Sequence, residues 1–443
     1  MRSPIRLRLS VLLLILGTLT ACRPQPSRPA GWEVGYWYWR HSSADAGPVA
    51  SRWTPDVVYV QVGNMSTSGL ADSRWPIRLP PARSYVATWR SDEAKPPDGA
   101  LAPTLAAAFD RVQAQAAHAG LRVVGLQLDV DCPTRLLPAY ADFVRSLRSR
   151  MRGHSRISVT ALLDWFEKGT QVRDLLGAVD EYVPQFYDAR ARGPGAEIAE
   201  PIDARRWAPI FNDLGTPYRI GLSAFGRIQR VRFRTDGIVT REPFRDVRLL
   251  ELWAQGLRVV HSETNRSAEQ VLRWDVPRAL PPALELGDVV EAILPTRESV
   301  RSSNEAARGF GGLCAGVVFF RWPGIDETLV MSPDEIADSL SGMARPDGPP
   351  RLQASDGSCV GRHCMDLTAH LDERFPSRPL DLEVVASSDV EYLVPAHSAV
   401  TLRQTGSRKI VVGIPAFVGE REVRLGRVFS RLPSQYAVAG GSQ

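Results

Sequence analysis

The chain has 443 residues, 44% hydrophobic and 23% charged, with 35 Gly and 34 Pro, a composition that excludes a disordered, collagenous or multi-span membrane protein. Its length accommodates two or three domains, or one large barrel with an accessory domain. The net charge of +5 invites a nucleic-acid reading, yet Lys95, Lys168 and Lys409 are the only lysines, Arg is spread along the whole chain, and Arg2, Arg6 and Arg8 supply three of the five charges.

Those three arginines open residues 1–21, which have the form of a signal peptide: a positive start, the apolar stretch Leu9–Leu16, then small residues. The apolar run is too short to span a bilayer. Leu19-Thr20-Ala21-Cys22 resembles a bacterial lipobox, which implies cleavage before Cys22 and a lipid on its sulfur as the membrane anchor. A plain signal peptide followed by an incidental Cys is the alternative. Arg23, not Asp, follows the cysteine, so the expected address is the outer membrane, facing the periplasm. Residues 22–30, with Pro24, Pro26 and Pro29, read as a stiff tether.

From Gly31 to about Gly324 short β-rich runs alternate with loops and helical stretches. The predicted strands are Glu33–Trp39, Val57–Gly63, Ser84–Trp89, Val123–Asp131, Ile157–Trp165, Tyr182–Asp188, Arg219–Phe225 and Gly316–Trp322. The clearest helices are Ala100–Ala119, stopped at Gly120, and Pro138–Arg150. Eight such units predict an α/β fold, a (β/α)8 TIM-like barrel over residues 31–345. In the fourth strand Val124, Leu126, Leu128 and Val130 alternate with Gly125, Gln127, Asp129 and Asp131. An apolar outer face and a polar inner one fit a barrel wall better than a doubly wound sheet, which expects both faces apolar. A long insert, about 226–312, precedes the last strand. Beyond the linker of Pro346, Gly348, Pro349 and Pro350, the runs Leu380–Ala386, Val400–Arg403, Ile410–Ile414 and Glu422–Phe429 make residues 346–443 a small all-β, sandwich-like domain.

The densest candidate chemistry is Gln127-Leu128-Asp129-Val130-Asp131-Cys132-Pro133, ending strand four, where barrel enzymes place their active sites. Carboxylates at i and i+2 project to one side about 6–7 Å apart, so repulsion would raise one pKa and create a proton donor near neutrality. The alternative is structural: Asp129 as a buried hydrogen-bond hub and Asp131 as the start of a loop. Strand six carries Gln185, Tyr187 and Asp188, with Gln185 and Tyr187 on one face.

Together the D-x-D and Q-x-Y-D strand ends resemble the chitinase-like glycoside hydrolases of the (β/α)8 class. The resemblance implies Asp131 as the acid that protonates the glycosidic oxygen. It makes Asp129 the residue orienting an N-acetyl nucleophile, Tyr187 a stabiliser, and Asp188 its neighbour. The family's acid is Glu, one methylene longer, and Gln127 stands where the family has a further Asp. The order of segments over most of Gly31–Gly324 more closely resembles an uncharacterised family of Gram-negative lipoproteins, the domain of unknown function numbered 3142. That family implies fold and address but no reaction.

Trp37, Trp39, Trp89, Trp165 and Trp322 fall at predicted strand ends, where indole rings stack on sugar faces, core packing being the alternative. Gln61, Asn64 and Asp164 are candidate hydroxyl partners. Arg40, Arg90 and Arg321 would favour a carboxylate- or phosphate-bearing ligand, unless they are solvated loop residues. His41, His154 and His261 lack metal spacing, and Cys359, His363 and Cys364 lack a fourth ligand nearby. No metal or cofactor is expected. A Cys359–Cys364 disulfide across a short turn is expected, with Cys132–Cys314 open. The chain reads as a membrane-anchored lipoprotein whose barrel binds a glycan or other polyhydroxylated ligand and hydrolyses it by acid catalysis. The alternatives are a non-catalytic carbohydrate-binding or scaffold protein, and an inert barrel whose β domain docks a partner.

Overall fold

A computed structural model of the chain describes residues 31–439 apart from 40–47, 67–68, 72, 92, 94, 154, 189–201, 234–238, 244–258, 277–278, 280–283, 325–328, 343–350, 371–379, 397–399 and 415–421. Runs rich in Val, Tyr and Phe form the parallel strands β1 (Glu33–Tyr38), β2 (Val57–Ser66), β4 (Ser84–Ser91), β5 (Val123–Val130), β6 (Arg156–Ala161), β7 (Glu181–Pro184) and β8 (Tyr218–Ser223). Beyond an insert of five further strands comes β14 (Cys314–Phe320). A short β3 (Gly69–Ala71) hooks antiparallel onto β2. Each barrel strand pairs with the next, and β14 pairs with β1, which closes an eight-stranded barrel. The (β/α)8 architecture follows directly.

Helices α1 (Ala102–His118), α2 (Leu137–Arg150), α3 (Val172–Leu176), α4 (Ala204–Asp213), α5 (Arg297–Arg308) and α6 (Pro333–Ser341) cover the barrel. In α1 the buried residues Leu105, Phe109, Val112 and Ala116 recur at helical spacing and form one apolar stripe. That stripe joins Val34, Val58, Val60, Leu126, Leu128 and Val130 from the outer faces of the strands in a single core. A fully buried side chain of this kind contributes about 1.5–3 kcal/mol.

Inside the barrel, Trp37, Tyr59, Val86, Val183, Tyr187 and Val318 form a second cluster. Val124 packs against this inner cluster, not the outer face. A register shift where β4 meets the start of β5, between the pairs Tyr85–Val123 and Val86–Gly125, breaks the alternation there. Two strands are also shorter than the sequence suggests. β6 stops at Ala161 and is followed by a 3-10 turn at Leu163–Phe166. β7 stops at Pro184, and Phe186–Asp188 forms another 3-10 turn.

The insert is an antiparallel sheet of β9 (Arg227–Phe233), β10 (Val239–Pro243), β11 (Val259–Thr264), β12 (Gln270–Asp275) and β13 (Val289–Leu294), in the order β10-β9-β13-β12-β11. It ends short of the expected 312. Thr296 caps α5 through a reciprocal bond pair with Ser299, and α5 buries Val300 and Ala307 in the barrel core.

The C-terminal strands β15 (Arg351–Asp356), β16 (His363–His370), β17 (Leu380–Ala386), β18 (Val390–Pro395), β19 (Thr401–Gly406), β20 (Lys409–Ile414), β21 (Glu422–Ser430) and β22 (Tyr436–Val438) form two four-stranded sheets. Leu367, Val423 and Val428 of one sheet meet Val384, Ile410 and Val412 of the other. Leu272, Trp274, Val290 and Leu294 of the insert belong to the same core. Cys359 and Cys364 form a disulfide, whereas Cys132 and Cys314 are buried free thiols. Burial pushes both thiols up to about 12. The linker residues Pro346, Gly348, Pro349 and Pro350 lie outside the described residues.

Candidate functional site

Strand alternation carries a column of polar side chains up the barrel axis. At its base Arg219 of β8 pairs with Glu181 of β7 and Glu33 of β1. The Tyr59 hydroxyl donates to Glu181 (2.6 Å). Burial works against the charged guanidinium, but the pull of Tyr59 and Glu33 outweighs it, and the pKa of Arg219 lies above the ordinary arginine value. One level up, Gln127 Oε1 accepts from Trp37 Nε1 at 2.7 Å, and its Nε2 donates to Ser158 Oγ at 3.2 Å. Gln127 is fully buried, and these partners satisfy its amide.

At the C-terminal ends of the strands sits Asp129. Thr160 Oγ1 donates to its Oδ1 at 2.8 Å, and Gln185 Nε2 approaches the same oxygen at 3.4 Å. Arg90, opposite it in the β4–β5 ladder, places Nε 4.0 Å from Oδ2. Two donors and a guanidinium around one largely buried carboxylate make a cradle for its anionic form. Asp131 follows the strand end and is exposed.

Tyr187 enters from the turn after β7, not from the strand, and still faces the barrel interior. Its ring stacks on Phe320 at 4.8 Å between centroids and meets Trp37 edge-on at 5.5 Å. From the insert, Arg227 Nη1 donates to the Tyr187 carbonyl at 2.8 Å, tying the added sheet to this end of the barrel.

Residues 93–259 match the family model described as Domain of unknown function (DUF3142). The DUF3142 span contains Asp129, Thr160, Gln185 and Tyr187, and excludes Trp37 and Phe320. No curated protein matches the chain. Among solved structures, the spore cortex-lytic enzyme SleL of Bacillus cereus shares 13% identity, with a TM-score of 0.44, over 71% of this chain and 74% of that one. The chitinase RmChi1 of Rhizomucor miehei shares 9%, with a TM-score of 0.41, over 71% of this chain and all of that one (100%). The chitinase ChiB of Flavobacterium johnsoniae shares 10%, with a TM-score of 0.37, over 70% and 93%.

Other expected ligand contacts fall elsewhere. Trp89 and Trp322 are fully buried in the outer, helix-facing core, where Trp89 Nε1 donates to Ser73 and Trp322 Nε1 to the Val49 carbonyl. Their rings are therefore not presented to a sugar. Trp165 lies in the same layer and donates to the Cys132 carbonyl. Trp37 is fully buried and Trp39 is 6% exposed, so both serve as inner packing beneath the mouth. An indole has too much apolar surface to leave in water when a core is adjacent. Asp164 sits exposed on the turn beyond β6, outside the barrel interior because the strand has already ended. Gln61 Nε2 donates to Asn64 Oδ1 at 2.8 Å. Arg321 follows β14 with its guanidinium 5.9 Å from the Phe320 ring centre.

Cys22, Arg40, His41, His154 and the Asp188 side chain lie outside the described residues. Among the described residues no cluster of His, Cys, Asp or Glu could hold a metal, and no helix is long and apolar enough to cross a membrane. Thr160 and Phe320 were not singled out from the sequence. Thr160 was within reach of it, since Ser158 and Thr160 alternate with apolar residues on β6. Phe320 owes its role to barrel closure.

Proposed function

We propose that the barrel mouth binds a glycan, with Asp129 as its fixed polar anchor and Asp131 as the proton donor for hydrolysis. The observation that carries this reading is the cradle of Thr160, Gln185 and Arg90 around an inward-facing Asp129. A carboxylate held by three partners on three different strands or strand ends is preorganised to accept a hydroxyl or amide N–H. Tyr187, packed between Trp37 and Phe320, adds a hydroxyl-bearing ring to the barrel interior. Binding without hydrolysis is the second reading. The exposure of Asp131 favours it, because Asp131 lies beyond the strand end and outside the cradle that fixes Asp129.

A glycan-array screen followed by hydrolysis assays on the purified chain tests both. Asp129→Asn is expected to weaken binding roughly tenfold or more, the scale of a lost charge-assisted hydrogen bond. Asp131→Asn should abolish turnover while leaving binding intact. Unchanged turnover in the Asp131 variant would remove it as the acid, and binding without any turnover in the wild type would establish the second reading.

The same proposal places the protein on the periplasmic side of the outer membrane, through signal residues 1–21 and a lipid on Cys22. Glu33 begins β1 at the N-terminal end of the barrel, and Cys22 precedes it by 11 residues, a reach of at most roughly 40 Å. An anchor there would turn the Asp129 end away from the membrane. Cys22→Ser is expected to move the chain from the membrane fraction to the soluble one, and retention in the membrane would refute the lipid anchor.

A further inference from the structure

At the end of the barrel opposite Asp129, the first residues of the strands surround a cavity of about 520 Å³. Its size lies within the range of small-molecule sites. Its floor is Arg219, only 5% exposed. Both terminal nitrogens of that guanidinium are occupied, Nη1 by Glu181 and the Tyr59 hydroxyl and Nη2 by Glu33. The floor is therefore rigid and its charge is already answered.

The wall has different chemistry. Arg122, just before β5, and Arg156, the first residue of β6, both line the cavity and are exposed. Among the described residues neither guanidinium has a carboxylate partner, in contrast to Arg219. Ser84, Ser155 and Ser158 line the cavity beside them. The lining thus holds three guanidinium groups (Arg122, Arg156, Arg219) against two carboxylates (Glu33, Glu181), an excess of one positive charge.

We propose that this cavity is a binding site for a small hydroxylated carboxylate of sugar-acid type, separate from the glycan site at the mouth. One unanswered charge matches a monocarboxylate better than a phosphate dianion. Two guanidinium forks on neighbouring strands suit the planar, two-oxygen geometry of that group. Ser84 and Ser158 already donate to the Asp56 carbonyl and to Glu181, so the Ser155 hydroxyl and the half-exposed Glu33 carboxylate are left to meet the ligand's hydroxyls.

Titration calorimetry of the purified chain with D-glucuronate, and with glucose as the neutral control, tests the site. Saturable glucuronate binding at millimolar concentration is expected, roughly tenfold or more tighter than glucose. The double variant R122A/R156A, altered only at exposed side chains, should lose that advantage, while Asp129→Asn should keep it. No saturable glucuronate binding, equal affinity for glucose, or full affinity in R122A/R156A would each overturn the proposal. So would loss of binding in Asp129→Asn, which would assign glucuronate to the mouth. The mouth proposal is independent, since its own test reads glycan binding and turnover.

Discussion

Gln127 shows how a side chain's polarity follows from periodicity while its partners are set by the fold. The period-two pattern puts it on the inner face of β5, and there it stands, bonded to Trp37 and Ser158. Its work is to fill the barrel axis with hydrogen bonds beneath Asp129. Arg219 has the same structural character at the base. A buried ion pair adds little over a well-packed apolar substitute, but removing one member leaves an unanswered buried charge. Arg219→Ala is accordingly expected to destabilise the chain by about 3–5 kcal/mol, measured by urea denaturation with tryptophan fluorescence. A loss below about 1 kcal/mol would show that Glu181 is hydrated, not buried against its partners.

Among the elements, the strands were the most legible, because alternation of apolar and polar residues follows directly from the pleat. Their ends were not. β6 and β7 stop early, and each is followed by a 3-10 turn. This sends Asp164 to the surface, while Tyr187 reaches the interior from outside a strand. Local sequence does not encode such exits, since the turn is chosen by what Trp165 and Phe186 can bury next door. Closure of the barrel rests on another local feature, Gly316 of β14, which pairs with Glu33 of β1. A Cβ on Gly316 would fall on the Glu33 carbonyl oxygen, so the two backbones approach as only glycine allows. Gly316→Ala is expected to cost at least about 1–3 kcal/mol. Faster amide exchange along β1 and β14 would locate the damage, and an unchanged exchange pattern would count against this account of the seam.

At the scale of the whole molecule, the insert joins two bodies that look separate in the sequence. Its sheet hangs from the barrel between β8 and α5, yet Leu272, Trp274, Val290 and Leu294 lie in the core of the C-terminal sandwich. A chain ended after residue 342 would expose that apolar face, including Trp274, now 1% exposed. Such a fragment is expected to bind a hydrophobic dye and to self-associate, while keeping the circular dichroism of its barrel. A monomeric fragment that binds no dye would show that the insert folds independently of the sandwich. The unit boundary near residue 346, drawn from proline and glycine content, marks a change of composition and not an end of packing.

Composition had offered a basic protein, and position by position three of the five charges fall on Arg2, Arg6 and Arg8 while the other arginines are scattered along the chain. Arg90 beside Asp129 and Arg219 in the barrel base are distinguished by their surroundings and not by their number. By itself the sequence determined the eight-stranded barrel, the inward-facing Asp129 and Gln127, and the all-β tail, because each follows from periodicity within a few residues. Tertiary structure decided which tryptophans are core, that Thr160, Gln185 and Arg90 converge on Asp129, that Asp131 is exposed, and that the insert and tail share one core. Those outcomes depend on contacts between strands and sheets far apart in the chain, where competition for buried space, not local pattern, selects each partner.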